Sequence, residues 1–173
     1  FADGGWINPL SLVHALVESA AQMAKVDVVF NKQVEKLIPS TNGVDIVFED
    51  GSRQHAPVVI DAAGHHAKSL VDNQDIPIGC VRGQVDIIEP SSAVNRLKAV
   101  FCHKGYLTPS WQGAQCCGAT FEKNSIKEET RQADTIHNLG LLEQALKYSE
   151  LSADGIISQG SRASIRATSP DHL

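Results

Sequence analysis

The sequence lacks most of the short patterns that announce a chemistry. There is no G-x-G-x-x-G, so no complete nucleotide-binding start lies within it. There is no G-x-S-x-G nucleophile turn and no H-E-x-x-H metal helix. Its cysteines, Cys80, Cys102, Cys116 and Cys117, form no C-x-x-C pair, which leaves a zinc site unsupported. They read as small buried apolar residues in a reducing cytosol, with adjacent Cys116 and Cys117 on opposite faces of a strand. No apolar run approaches membrane-spanning length and no signal-peptide pattern is present, so a cytoplasmic protein without a membrane partner is expected. The net charge of −5 gives no overall electrostatic reason to bind nucleic acid, which leaves that role to a local basic patch. Met23 is the single methionine, the first residue is Phe1, and the end at Leu173 follows a turn signal. A piece of a longer protein is the expectation.

What is present suffices for a core: 42% of the 173 residues are hydrophobic. Asn8 is a good N-cap and Pro9 suits the first helical position. Leu12, Val13, Leu16, Val17, Ala20, Ala21 and Ala24 then form one apolar stripe at helical spacing. His14 reads as a flank residue. Val26 to Phe30 reads as a short strand. From Val34 to Val59 the pattern predicts a small antiparallel meander: Val44, Ile46 and Phe48 alternate with polar residues, and Asp50-Gly51 signals a hairpin. Val58 to Ile60 is an unbroken apolar run, expected as a strand buried on both faces. It ends in Ala62-Ala63-Gly64, small enough either to admit a ligand or simply to turn into a helix at 65–71.

Asn73 to Pro77 reads as a connection, and strands dominate after it. In 80–88, Val81, Gly83, Val85 and Ile87 fall on one face and Arg82, Gln84 and Asp86 on the other. Two further strands flank a turn at Trp111-Gln112-Gly113. A helix is predicted over 130–151, with Ala133, Ile136, Leu139, Leu142, Ala145 and Leu146 on its apolar side, and its connection ends at Asp154-Gly155. A last strand runs from about Ile156 to Thr168. There Arg162, Ser164 and Arg166 share a face, which is either a solvated edge or an anion site. No acid–base set stands out, and the His65-His66 pair has no identifiable metal-ligand partners.

Five blocks in order, GGWINPLSLVHAL, VVIDAAGHHA, CVRGQVDIIEP, GYLTPS with CCGATFEKN, and GSRASIRATSPDHL, resemble the D-amino-acid-oxidase-like family of FAD-dependent oxidoreductases. The resemblance implies α/β and α+β parts. Residues 1–73 would form an incomplete Rossmann-like FAD domain, and 74–173 a mostly antiparallel substrate domain with a covering helix, truncated at its C-terminus. It implies FAD as cofactor, with Val34, Ala62, Ala63, Gly64 and Gly83 near it. It implies Arg166 as the grip on a substrate carboxylate, Tyr106 beside that group, and Arg82 where the sheet faces the flavin. Within the family the likeness is to an oxidoreductase that removes glyoxylate from a carboxymethylaminomethyl group on a tRNA wobble uridine. S-adenosylmethionine would belong only to a fused methyltransferase domain. Two alternatives stand beside it: a glycine- or sarcosine-type amine oxidase, and a non-catalytic β-sheet binding module. The family's glycine-rich pyrophosphate loop and its segment beyond Leu173 are missing, so the chain alone is expected to bind FAD poorly or not at all and to be inactive.

Overall fold

The computed structural model describes residues 5–71, 76–89, 94–147, 149 and 155–170. Parts of the expected 73–77 connection, the far end of the 130–151 helix, Asp154 and the closing Asp171-His172-Leu173 lie outside the described residues. The chain divides into two units: Ile7–Ile78 with Ser169–Leu173, and Gly79–Thr168 with Phe1–Trp6. The first mixes helix and meander and the second is antiparallel sheet with a helix, so both α/β-type and α+β-type parts are present.

The first unit opens with helix α1 (Pro9–Met23). The Asn8 side chain accepts from the Ser11 amide at 3.1 Å and Pro9 takes the first turn. A three-stranded antiparallel sheet follows: β1 (Val34–Ser40), β2 (Gly43–Phe48) and β3 (Arg53–Ala56), in the order β1-β2-β3. The Asp50 carboxylate fixes the β2–β3 turn by accepting from the Ser52 amide at 2.9 Å and pairing with Lys32. Lys32, then Ser52, hold its pKa below the ordinary carboxylate range. Gly64–His66 form a 3-10 turn that leads into α2 (Ala67–Leu70). Gly64 sits at φ +61°, a left-handed conformation that glycine adopts without Cβ strain.

Two expectations fail here. Val58 to Ile60 pairs with no strand among the described residues, and Val58 is 75% and Ile60 88% exposed. Val26 to Phe30 likewise pairs with no strand among the described residues, and Phe30 is 80% exposed. An unbroken apolar run fits a strand between two layers, and neither layer is supplied among the described residues of this unit. The apolar stripe of α1 is also uncovered, since no residue of that helix is buried.

The second unit is built on β4 (Gly79–Ile88). One edge of β4 pairs antiparallel with β7 (Gln115–Gly118) and β8 (Glu122–Lys123), and the other with β9 (Ser158–Thr168). β5 (Phe101–Cys102) and β6 (Tyr106–Leu107) extend the sheet beyond β7. Helix α3 (Gln132–Leu146) covers one face. Under its C-terminal half lies an apolar cluster of Ile88, Val94, Leu107, Cys117, Leu142 and Leu146. Burial, then the nearby Asp86, pushes the Cys117 thiol pKa up to about 12.

Under the N-terminal half lies a polar row, Arg82, Gln84 and Asp86, all fully buried. Burying such groups is costly unless their hydrogen bonds are met, and here they are. Asp86 accepts from Thr135 and Ser161 at 2.7 Å each and from Asn138 at 2.8 Å. Gln84 accepts from the Arg131 amide at 2.7 Å and donates to the Arg131 carbonyl at 3.0 Å. Arg82 donates to Asp134 at 2.6 Å and to the carbonyls of Lys127 and Glu129. The inward residues of α3 are therefore Thr135, Asn138, Leu142 and Leu146, and Ile136 is 64% exposed. The expected apolar side was displaced at its N-terminal end because the sheet beneath it is polar there.

Both ring nitrogens of His103 are buried without a hydrogen-bond partner among the described residues, beside the Phe101 ring at 5.6 Å, and burial lowers its pKa from 6.5. A lowered folded-state pKa gives stability that is complete above the unfolded value and is lost as pH falls through the folded one. Urea midpoints measured from roughly pH 8 down to 5 should show an acid loss that His103→Phe reduces. Asp134→Ala removes one acceptor from a buried guanidinium and should cost about 3 kcal/mol, read by urea denaturation. The fluorescence of Trp6 and Trp111, whose rings meet at 5.9 Å in this unit, reports the transition.

Candidate functional site

The inward polar row dictates what faces outward. Side chains alternate along a strand, and directly opposite residues on paired strands share a face. With Arg82, Gln84 and Asp86 turned toward α3, the residues between them, Val81, Gly83 and Val85, take the open face. Their partners on β9 are Arg166, Ser164 and Arg162, all exposed. Val85 also stands opposite Gly118 of β7, and Gly118 opposite Tyr106 of β6, so Tyr106 joins the same face. Cys116 follows two residues before Gly118.

The guanidinium of Arg166 lies over the Phe121 ring, 4.7 Å from its centroid, an arrangement in which the ring face attracts the cation. It also lies over Gly83: a Cβ there would stand 3.6 Å from Arg166 Nη2 and 3.0 Å from the Thr120 carbonyl oxygen. The phenol of Tyr106 has a raised pKa, chiefly from burial and then from Cys116, while Arg166 opposes the shift. Burial likewise raises the Cys116 thiol, and Arg162 opposes it. Among the described residues neither Arg162 nor Arg166 pairs with a carboxylate. The face thus presents two unneutralised guanidinium groups, a hydroxyl between them and a protonated phenol.

Arg82 is not part of this face. Its guanidinium lies on the α3 side of the sheet, and its hydrogen bonds are committed to Asp134, Gln84 and two carbonyls. The expectation that it meets substrate is corrected by strand alternation: a residue adjacent to Gly83 must point the other way. Phe121 escaped the sequence reading, since nothing in the ATFEKN stretch marks its ring as a platform for an arginine 45 residues away.

In the other unit, a groove of about 630 Å³ is lined by Val34, Ala62 and Ala63 together with Glu35, Glu49, Asp61 and His66. Gly64 begins the adjoining turn. The β1–β2 ladder is irregular between Val34 and Lys36, which leaves Glu35 without a pairing partner on β2. Such a bulge frees main-chain groups for a ligand. The Asp61 carboxylate accepts from the Ala63 amide at 2.9 Å and shapes the turn. With three carboxylates and no lysine or arginine in its wall, the groove suits a hydroxyl-bearing heterocycle rather than a phosphate. The residues therefore fit the nucleoside end of FAD. The rings of His65 and His66 lie 3.9 Å apart, tilted by 39°, and among the described residues no cluster of three or more His, Cys, Asp or Glu is placed to hold a metal. No helix among the described residues is long and apolar enough to cross a membrane.

Comparison with known proteins adds sequence kinship to this geometry. A tRNA 5-methylaminomethyl-2-thiouridine biosynthesis bifunctional protein of Pseudoalteromonas translucida is 34% identical over 175 residues, which is 100% of this chain and 26% of that protein. Its counterpart in Aeromonas hydrophila is 32% identical over 174 residues, again 100% of this chain and 26% of the relative. The chain thus spans about a quarter of the length of these relatives. Among solved structures, glycine oxidase from Geobacillus kaustophilus shares the fold with a TM-score of 0.73 at 22% identity, over 94% of this chain and 43% of that one. L-proline dehydrogenase from P. horikoshii does so with a TM-score of 0.72 at 16% identity, over 94% and 44%. The family described as FAD dependent oxidoreductase matches residues 1–173, and the chain belongs to it.

Proposed function

We propose that this chain is part of an FAD-dependent oxidoreductase that oxidises the secondary amine of a carboxymethylaminomethyl group on a tRNA wobble uridine, releasing glyoxylate. One observation carries the reading: Arg166 offers an exposed guanidinium with no carboxylate partner among the described residues, stacked on Phe121 and laid over Gly83. The kinship over the whole chain with proteins named for 5-methylaminomethyl-2-thiouridine biosynthesis supports the choice of substrate.

The substrate arm ends as glycine does, in an N–CH2–COO⁻ unit. Arg166 holds the carboxylate through two parallel N–H···O bonds, which set the direction of the methylene as well as bind it. The Tyr106 hydroxyl, on the same face, supplies a further donor for that carboxylate. Oxidation removes a hydride from the methylene carbon and a proton from the amine, giving a C=N bond. Water adds to that carbon, and C–N cleavage leaves the aminomethyl uridine and glyoxylate. FAD supplies the two-electron acceptor, and Val34, Ala62, Ala63 and Gly64 in their groove would hold its nucleoside end. The proposal gives Gly83 a role beside that expected near the cofactor, which is to leave room for the guanidinium. A glycine- or sarcosine-type oxidase would use the same arginine; the acidic net charge of −5 favours that second reading.

Arg166→Ala in the full-length flavoenzyme should lower kcat/KM on tRNA bearing the modified uridine by about 100-fold, for the loss of two charge-assisted hydrogen bonds. Activity equal to wild type removes the assignment. Gly83→Val places a branched side chain where the guanidinium lies. It should raise KM for the same substrate by about tenfold, and an unaltered KM would show that the guanidinium rests elsewhere.

A further inference from the structure

Arg166 accounts for one negative group, yet the open face carries a second guanidinium. Arg162 is four residues along β9 on the same side, exposed, and without a carboxylate partner among the described residues. The strand rise of about 3.3 Å per residue puts the two Cα atoms roughly 13 Å apart. The two arginines have different surroundings. Arg166 sits with Phe121 and Gly83, whereas Arg162 stands opposite Val85, in the row that continues through Gly118 to Tyr106. Phe121 and Gly83 engage Arg166 at its own end of the strand, which leaves Arg162 for a second anion. Between them stands Ser164, whose hydroxyl both donates and accepts, opposite Gly83, which presents no side chain.

We propose that Arg162 binds a phosphodiester group of the substrate strand, next to the modified nucleoside whose carboxylate Arg166 holds. The inference rests on the tRNA reading above and deepens it. The substrate has two kinds of anion, an acidic arm on the base and the phosphates of its own backbone, with a polar pyrimidine edge between them. The β9 face repeats that order as arginine, serine, arginine. Guanidinium groups suit phosphate and carboxylate equally, because both present paired oxygens to the planar donor fork. Arg162 therefore distinguishes a nucleic-acid substrate from a free amino acid, in a protein whose overall charge does not.

The test compares wild type, Arg162→Gln and Arg162→Lys in the full-length flavoenzyme. Two substrates are used: tRNA bearing carboxymethylaminomethyl uridine and the same modified nucleoside without phosphate. The ratio of kcat/KM for tRNA to that for nucleoside should fall about tenfold in Arg162→Gln and be largely restored in Arg162→Lys. Separately, the slope of log Kd for tRNA against log salt should become shallower by about 0.7 in Arg162→Gln, as for loss of one single-strand phosphate contact. An unchanged ratio with an unchanged slope overturns the inference and leaves the tRNA reading standing. A wild-type enzyme that oxidises glycine or sarcosine but neither modified substrate overturns the tRNA reading, and this inference with it.

Discussion

The buried hydrogen-bonded row of Arg82, Gln84 and Asp86 is the constraint on which the site depends. A strand has two faces, and a shift of one residue exchanges them. Each member of the row finds its partners only on the α3 side: Asp134 for Arg82, the Arg131 main chain for Gln84, and Thr135, Asn138 and Ser161 for Asp86. Exchange of faces would strip the row of these partners and leave the polar groups of Thr135 and Asn138 under α3 facing Val81, Gly83 and Val85, at a cost of kilocalories. The inner row thus fixes the outer one, and through the β4–β9 register it places Arg162, Ser164 and Arg166 in the open. An apolar inner row would bury its face as well, but it would not resist slippage along the strand so strongly, because hydrophobic contact has no direction.

Much of this was legible in the sequence, for local reasons. The Asn8-Pro9 cap, the hairpin at Asp50-Gly51 and the alternation along 80–88 and 156–168 depend on neighbours within a few residues. The face shared by Arg162 and Arg166 followed from period two alone. What was not legible was which face of β4 is covered. Its two rows are Val-Gly-Val and Arg-Gln-Asp, and hydrophobicity would bury the former. The choice is made by Thr135 and Asn138, about fifty residues away, whose polar groups are hidden within a helix that otherwise reads as amphipathic. The same distance hid Phe121 and misplaced Arg82.

The two units differ in how well they satisfy themselves. The sheet unit has a closed apolar cluster and a saturated polar row. The other buries little beyond Leu37 and Ala67, and leaves the stripe of α1, the run at 26–30, Val58 and Ile60 exposed. Apolar surface on that scale marks a place where other structure packs. Its groove sets Val34, Ala62 and Ala63 among three carboxylates, with no lysine or arginine in the wall. Both features accord with a chain that covers about a quarter of its relatives' length.

The face assignment is tested most directly by chemical modification of arginines. Limited treatment of the full-length flavoenzyme with phenylglyoxal, followed by peptide mass spectrometry, reads each guanidinium separately. The account predicts rapid modification at Arg162 and Arg166 and protection of Arg82, with a small carboxylate substrate analogue shielding Arg166 more than Arg162. Modification of Arg82 as fast as of Arg166, or an Arg166 that no carboxylate shields, would contradict it.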